Sequence, residues 1–342
     1  MASAAETDPH GRAATAPTRL PWSAWKEILG RVWVKTGTDN ISLLAAGIAF
    51  YAFLSFVPLL GAMVMTYGLI ADPASIPDHM RTIVRLVPKD AAKLIIDQIV
   101  SLVTTASGKK GLGLAVAMLV SLYGATRASG AIIMALNVVY EQIEKRSLLR
   151  TTLLSFIMIV GAVLVAIVGL LAASALAFVG KAVDQLGTLG AIGISAATWL
   201  VAGLLASTGI AATYRIAPDR HDAKWRWLSF GSALATLLWL LATVLFGVYA
   251  TTLGNYNATY GSLSAVVVLL MWLWVSAYAI LLGAEINAEA ERQTARDSTA
   301  GPEKPLGRRG ATVADEVAGE PGTHPSEEKS REAMRGASGA RR

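Results

Sequence analysis

Residues 151–180 read TTLLSFIMIVGAVLVAIVGLLAASALAFVG, thirty consecutive positions without a charged side chain or a proline. An α-helix rises 1.5 Å per residue, so about 20 apolar residues cross the ~30 Å hydrocarbon core of a bilayer. Working outward from this stretch, six runs of spanning length appear, at about 41–70, 111–139, 148–180, 190–214, 228–251 and 262–286. The first and third are longer than a perpendicular crossing needs and should tilt or kink. Pro58 sits inside the first, where it removes one helical hydrogen bond, and Ser55 one turn earlier is placed to satisfy the freed carbonyl. Composition agrees with the runs. Of 342 residues, 54% are hydrophobic and 16% charged, against about 25% charged in an average soluble domain, and mean hydropathy is +0.50. These figures exclude an ordinary soluble enzyme and a disordered chain. The expected fold is all-α: a polytopic integral membrane protein, a six-transmembrane-helix bundle with an amphipathic helical outer loop.

The flanks read differently. Residues 1–20 are small and polar, lack a signal-peptide pattern, and are expected to form a disordered tail. In 21–40, Trp22, Trp25, Leu29 and Trp33 recur at helical spacing beside Lys26, Arg31 and Lys35. That pattern predicts an amphipathic helix lying on a membrane face, the alternative being a short helix packed on the protein itself. The membrane domain is expected over 41–290. In the loop 71–110, Pro77 and Pro88 punctuate two amphipathic stretches, which either lie against the outer face or form a lid. Residues 291–342 mix glycine, proline and both charge signs and are expected to be a second disordered tail. No internal repeat is visible.

Charge sets orientation. With the N-terminus cytoplasmic, the inner segments carry fourteen Lys and Arg and the outer loops seven. The positive-inside rule then places both termini in the cytoplasm, although the loop 71–110 holds six of those seven outer residues. The net charge of +6 is concentrated around the apolar runs, which suits anionic lipid headgroups better than nucleic acid. The chain has no cysteine. Disulfides, Cys-ligated metals and a cysteine nucleophile are therefore excluded. His10, His79, His221 and His324 are scattered, so neither a metal site nor a cofactor is expected.

Within the runs, Arg127 stands out. It lies near the middle of the second span, where a charge costs about 2.5–3.5 kcal/mol on insertion scales. The runs contain no Asp, and their only Glu is Glu285, at the inner end of the last. Arg127 is therefore expected to face the bundle interior and to meet carbonyls, hydroxyls, water or an anionic ligand. Tyr123, Arg127, Gly130, Ala131, Met134, Asn137 and Glu141 share one helical side, a polar path descending toward the cytoplasm. The competing reading is that Arg127 caps carbonyls of a broken neighbouring helix near Pro58. Glu285, Asn287 and Glu289 end the last span. They read either as a cytoplasmic gate or ion site, or as an ordinary charged helix end. Arg215, Arg220, Lys224 and Arg226, with Trp225 and Trp227, read as an inner loop contacting lipid headgroups. Gly254 and Gly261 predict a tight turn between the last two spans.

Three motifs resemble those of the BrkB/YihY family of bacterial inner-membrane proteins: AAGIAFYAFLSFVPLL at 45–60, ATRASGAIIMALNVVYE at 125–141 and YGSLSAVVVLLMWLWVSAYAILLGAEINAE at 260–289. The resemblance covers about 30–290 and implies a six-helix protein of the plasma membrane with both termini cytoplasmic. Arg127, Asn137, Tyr260, Gly261, Gly283 and Glu285 fall on its motif positions. Family members have carried ribonuclease and virulence-factor labels, and lipid or envelope-precursor transport has been suggested for them. The family brings no agreed catalytic residues to transfer.

The resulting expectation is a transporter- or flippase-like protein, not an enzyme, handling an anionic lipid or envelope precursor with Arg127 on the headgroup. The alternative is a non-transporting membrane scaffold of the cell envelope. The expected partners are anionic membrane lipids and an envelope protein, not nucleic acid. No nucleotide-binding GxxxxGK[ST] motif is present to drive transport.

Overall fold

The computed structural model describes residues 8–70, 110–183, 187–252 and 263–319. The helices are α1 (Trp22–Thr38), α2 (Ile41–Ile70), α3 (Lys110–Val139), α4 (Leu148–Val183), α5 (Gly187–Ile216), α6 (Trp225–Thr252), α7 (Ser264–Gln293) and a short α8 (Thr312–Asp315). No strand is formed among the described residues; an isolated bridge joins Ala223 and Thr299. Five of these helices contain a stretch long and apolar enough to cross a membrane, and α1 with the first half of α2, meeting at a 60° bend, makes up to six. The chain is an all-α, multi-pass membrane protein. The loop 71–109 and the turn 253–262, with Tyr260 and Gly261, lie outside the described residues.

Consecutive helices from α2 to α7 pack side by side, and α7 closes the ring against α2. It also touches α1, α3 and α8. Close approach is made possible by missing side chains. A Cβ on Gly124 of α3 would fall 2.7 Å from the Ser55 backbone nitrogen of α2, and one on Gly283 of α7 would fall 2.5 Å from the Ala235 Cβ of α6. Without a hydrophobic drive between helices in lipid, such small-residue contacts are what hold them together. The Ser55 hydroxyl donates to the Ser121 carbonyl of α3 at 3.0 Å. It bridges to the neighbouring helix instead of serving the carbonyl freed by Pro58. Outward, α4 presents Leu153, Phe156, Ile157, Val160, Leu164 and Ile167, all exposed. A continuous apolar surface of this kind belongs against lipid.

Helix ends are set locally. Asn40, at φ +53°, turns the chain from α1 into α2, a left-handed conformation that asparagine tolerates. At the end of α3 the Gln142 N–H reaches the Asn137 carbonyl at 2.7 Å, closing the last turn around Glu141 at φ +51°.

Two expectations need correction. Residues 8–20 and 291–319 are not disordered tails but part of the end of the bundle that bears α1, here called the base. The Arg12 guanidinium donates to the Gln293 carbonyl at 3.1 Å and to the carbonyl of Ala318. The Thr294 hydroxyl donates to the Ala14 carbonyl at 2.7 Å. Arg309, almost fully buried, donates to the carbonyls of Ala314 at 2.6 Å and Ala295 at 2.7 Å. Neither segment has the periodicity to fold alone. Each is ordered because its backbone and guanidinium groups find partners on the other and on α7. Residues 1–7 and 320–342 lie outside the described set.

Helix α1 buries Ala24, Ile28 and Val32 against the base, and Trp25 stacks on Phe230 with ring centroids 4.6 Å apart. Trp22 and Trp33, 69% and 83% exposed, project away from it. The helix therefore packs on the protein by its Ala24, Ile28 and Val32 face and by Trp25, while Trp22 and Trp33 remain outward.

Candidate functional site

The base is a dense charged layer built around the last three turns of α7. Glu285, Asn287 and Glu289 are 1%, 0% and 1% exposed. They are not an ordinary solvated helix end, because α1, α3, α6 and the C-terminal segment close over them. Asn287 locks α6 in place: its Oδ1 accepts the Gly231 N–H at 2.8 Å and its Nδ2 donates to the Leu228 carbonyl at 3.2 Å. A Cβ on Gly231 would fall 2.3 Å from that Oδ1, so only glycine fits.

Ion pairs knit the layer. Arg31 of α1 pairs with Glu289 at 2.5 Å and donates to Gln293 Oε1 at 2.7 Å. Arg292 reaches Glu289 at 2.8 Å, Glu141 at 3.0 Å and Glu316 at 3.4 Å. Lys35 bonds Glu141 and lies 3.7 Å from Asp39. Burial pushes the Glu141 carboxyl up, but Arg292 and Lys35 outweigh it and hold it below the usual carboxylate range. Glu141 thus occupies a left-handed backbone position, usually left to glycine or asparagine, tied on both sides by cations. Deeper, Arg220 and Glu291 form a fully buried pair at 2.7 Å, with the Arg220 guanidinium 4.7 Å above the Tyr140 ring. Burial opposes the Arg220 charge and Glu291 more than restores it.

The predicted site residues separate into distinct groups. The expected path from Tyr123 through Arg127 and Asn137 to Glu141 is not continuous. Arg127 is exposed on the flank of α3, not turned into the bundle, and its guanidinium lies 5.1 Å over the exposed Tyr123 ring. Among the described residues it makes no hydrogen bond or ion pair, so it does not cap a carbonyl near Pro58. The reason is rotational: Ser121, Gly124 and Ser129 define the buried face of α3, and Arg127 points away from it. Asn137 is buried and structural, its amide donating to Glu144 at 2.9 Å and its Oδ1 accepting the Asp219 N–H at 2.7 Å.

The basic loop is corrected too. Arg220 is buried and cannot touch a headgroup. Arg215 pairs with Asp222 at 3.1 Å and lies 4.8 Å over the Trp225 ring, and Lys224 donates to the Asp297 carbonyl at 2.7 Å. Arg226 is exposed. Sequence reasoning missed Arg31, Lys35, Asp39, Glu291 and Arg292 as site residues. The available signal was the continuation of charges past Glu285 at i+4 and i+7, which puts Glu289 and Arg292 on its face. Among the described residues no cluster of three His, Asp or Glu side chains is arranged to hold a metal ion.

Comparison with known proteins places these observations in a lineage. The family described as Virulence factor BrkB matches residues 32–307. The chain is 29% identical over 270 residues to a ribonuclease-like protein, YfkH, of Bacillus subtilis, covering 77% of this chain and 93% of that one. It is 27% identical over 305 residues to a UPF0761 membrane protein of Rhodospirillum centenum, covering 87% and 65% respectively. A UPF0761 membrane protein of Psychromonas ingrahamii is 26% identical over 267 residues, covering 76% and 86%. No solved structure matches. The ring of apolar helices, the motifs that end in the buried Glu285–Glu289 turn and the match over most of the chain lead to one conclusion: this chain belongs to the Virulence factor BrkB family of membrane proteins.

Proposed function

We propose that this protein is a transporter-like component of the bacterial inner membrane, with both termini cytoplasmic, that handles an anionic lipid or envelope precursor. The observation that carries the reading is Arg127. A guanidinium near mid-span, exposed on the flank of α3 and without a carboxylate among the described residues, needs an anion from outside the protein. Twelve residues separate it from the end of α3 at Val139, a depth of about 18 Å at 1.5 Å per residue. A lipid phosphate reaching that depth has left its usual plane, which is the geometry of a headgroup being moved. The planar fork of arginine suits a phosphate or carboxylate, and Tyr123 supplies an amphipathic wall beside it. In this reading the Glu285–Asn287–Glu289 turn is the cytoplasmic gate or ion site, and Arg226 touches headgroups at the inner surface.

The test is to purify wild type and Arg127→Gln in mild detergent and identify the co-purifying lipids by mass spectrometry. One anionic lipid enriched with wild type and lost from a folded mutant supports the reading and names the substrate class. The same bulk lipid in both makes Arg127 structural, and a non-transporting envelope scaffold then takes precedence.

A further inference from the structure

Of the buried carboxyls of the base, Glu289, Glu291, Asp297 and Glu316 each meet an arginine. Glu141, Glu289 and Glu316 each meet Arg292, Glu289 also meets Arg31, and Asp39 lies near Lys35. Glu285 has no ion pair among the described residues. It is 1% exposed, and neither of its carboxyl oxygens receives a hydrogen bond among the described residues. Asp39 Oδ2, on the neighbouring corner between α1 and α2, is likewise buried without a hydrogen-bond donor.

The groups around Glu285 do not favour a charge there. Its charged neighbours are Asp39 at the α1–α2 corner, Glu289 one turn along α7 and Lys35 of α1. Lys35 is already held by Glu141 and Asp39. The end of α3 brings the Tyr140 side chain. From α5 comes Tyr214, whose hydroxyl donates to the Ile280 carbonyl at 2.5 Å. Helix α6 brings the Leu228 and Gly231 backbone, both taken by Asn287. Helix α2 brings Ile41 and Ala45, and the C-terminal segment brings Glu316, which pairs with Arg292. An ionised carboxylate in this place would be desolvated, unpaired and beside two other anions. A neutral carboxylic acid has none of these costs and can donate its one proton.

We infer that Glu285 is a proton-binding site: it carries a proton at neutral pH, donates it as a hydrogen bond to Asp39, and thereby clasps the α1–α2 corner onto α7. Loss of that proton to water leaves two facing carboxylates and pushes the corner away. No other bond changes. This assignment goes beyond the lipid reading and stands whether or not the protein moves lipid.

The test uses full-length protein labelled with ¹³C-glutamate, in detergent, without added lipid. Infrared spectra of wild type at neutral pH should show a labelled carboxylic-acid C=O band, absent from Glu285→Gln. Hydrogen–deuterium exchange of peptides covering residues 31–44 should accelerate at least tenfold in wild type as pH rises past the band's titration point, beyond the base-catalysed rate. In Glu285→Gln, which mimics the protonated acid, it should follow only the intrinsic rate. Absence of the band from wild type overturns the inference, as does a band that survives in Glu285→Gln. A band replaced on adding sodium makes Glu285 a cation ligand, which also overturns it. Failure of the neutral isostere Glu285→Gln to fold counts against it equally, since the folded state would then need the charge.

Discussion

Two ionisable residues, Arg127 and Glu285, sit on long apolar helices of the same bundle and have opposite surroundings. Arg127 is exposed on the flank of α3, with only the Tyr123 ring beside it among the described residues. Glu285 is sealed in the base behind α1, α3 and α6, among charges that pair with one another and leave it out. An exposed charge near mid-span can take its counterion from the lipid side. A buried one has only the groups the fold supplies, or a proton. The same reasoning applies to Arg220, which is as buried as Glu285 but has its counter-charge in Glu291.

The contrast can be broken at its strongest point first. Arg220→Met leaves Glu291 buried with the Ser298 hydroxyl, 2.8 Å away, as its one remaining side-chain donor among the described residues. The expected loss is about 3–5 kcal/mol, the cost of stranding one member of a buried pair. Thermal or denaturant unfolding in detergent measures it, and a loss below about 1 kcal/mol would mean the base tolerates a lone carboxylate.

Gly231→Ala comes next. The added Cβ collides with Asn287 and with the Gly283 carbonyl at 2.5 Å, so the α6–α7 contact must open. Overpacking of this kind costs about 1–3 kcal/mol, read by the same unfolding assay, whereas Gly247→Ala, with open space at its Cβ, serves as the control.

A smaller effect is expected from pH acting on Glu141. Its folded carboxyl is held below the usual range, which is about 4.3 for glutamate. Its contribution is therefore fully present above that pH and is lost as pH falls through the folded value. Wild type should lose thermal stability on acidification below about pH 4.3 more steeply than Glu141→Gln, and parallel curves would show that the Lys35 and Arg292 contacts carry little.

Arg127→Gln should do least to the fold, within about 0.5 kcal/mol, as for a side chain without structural partners. Its effect should appear in bound anionic lipid instead. A large stability loss would move Arg127 from the exposed class to the buried one and erase the comparison.

The helices were legible because spanning runs are a strong one-dimensional signal: 111–139 became Lys110–Val139, and 228–251 became Trp225–Thr252. The last helix ran on to Gln293, past the end of the apolar run, since burial in the base lets charged residues continue it. Less of the site was legible. Glu285, Asn287 and Glu289 were identified as a group, but the sequence allowed an exposed helix end as readily as a buried cluster. The rotation of α3 was not legible either, because helical spacing groups residues on a face without saying what that face meets. The tails were misread because neither segment has a core of its own.

The sequence by itself determined that this chain lives in a bilayer, where its helices lie, and which few polar residues enter them, because hydrocarbon thickness and the cost of unpaired backbone act on each run separately. Only the tertiary structure decided which of those polar residues are sealed and which are open. Burial and ion pairing are properties of contacts among Asp39, Glu141, Glu285, Glu289 and Arg292, brought together from distant parts of the chain by the packing of α1, α3 and α7.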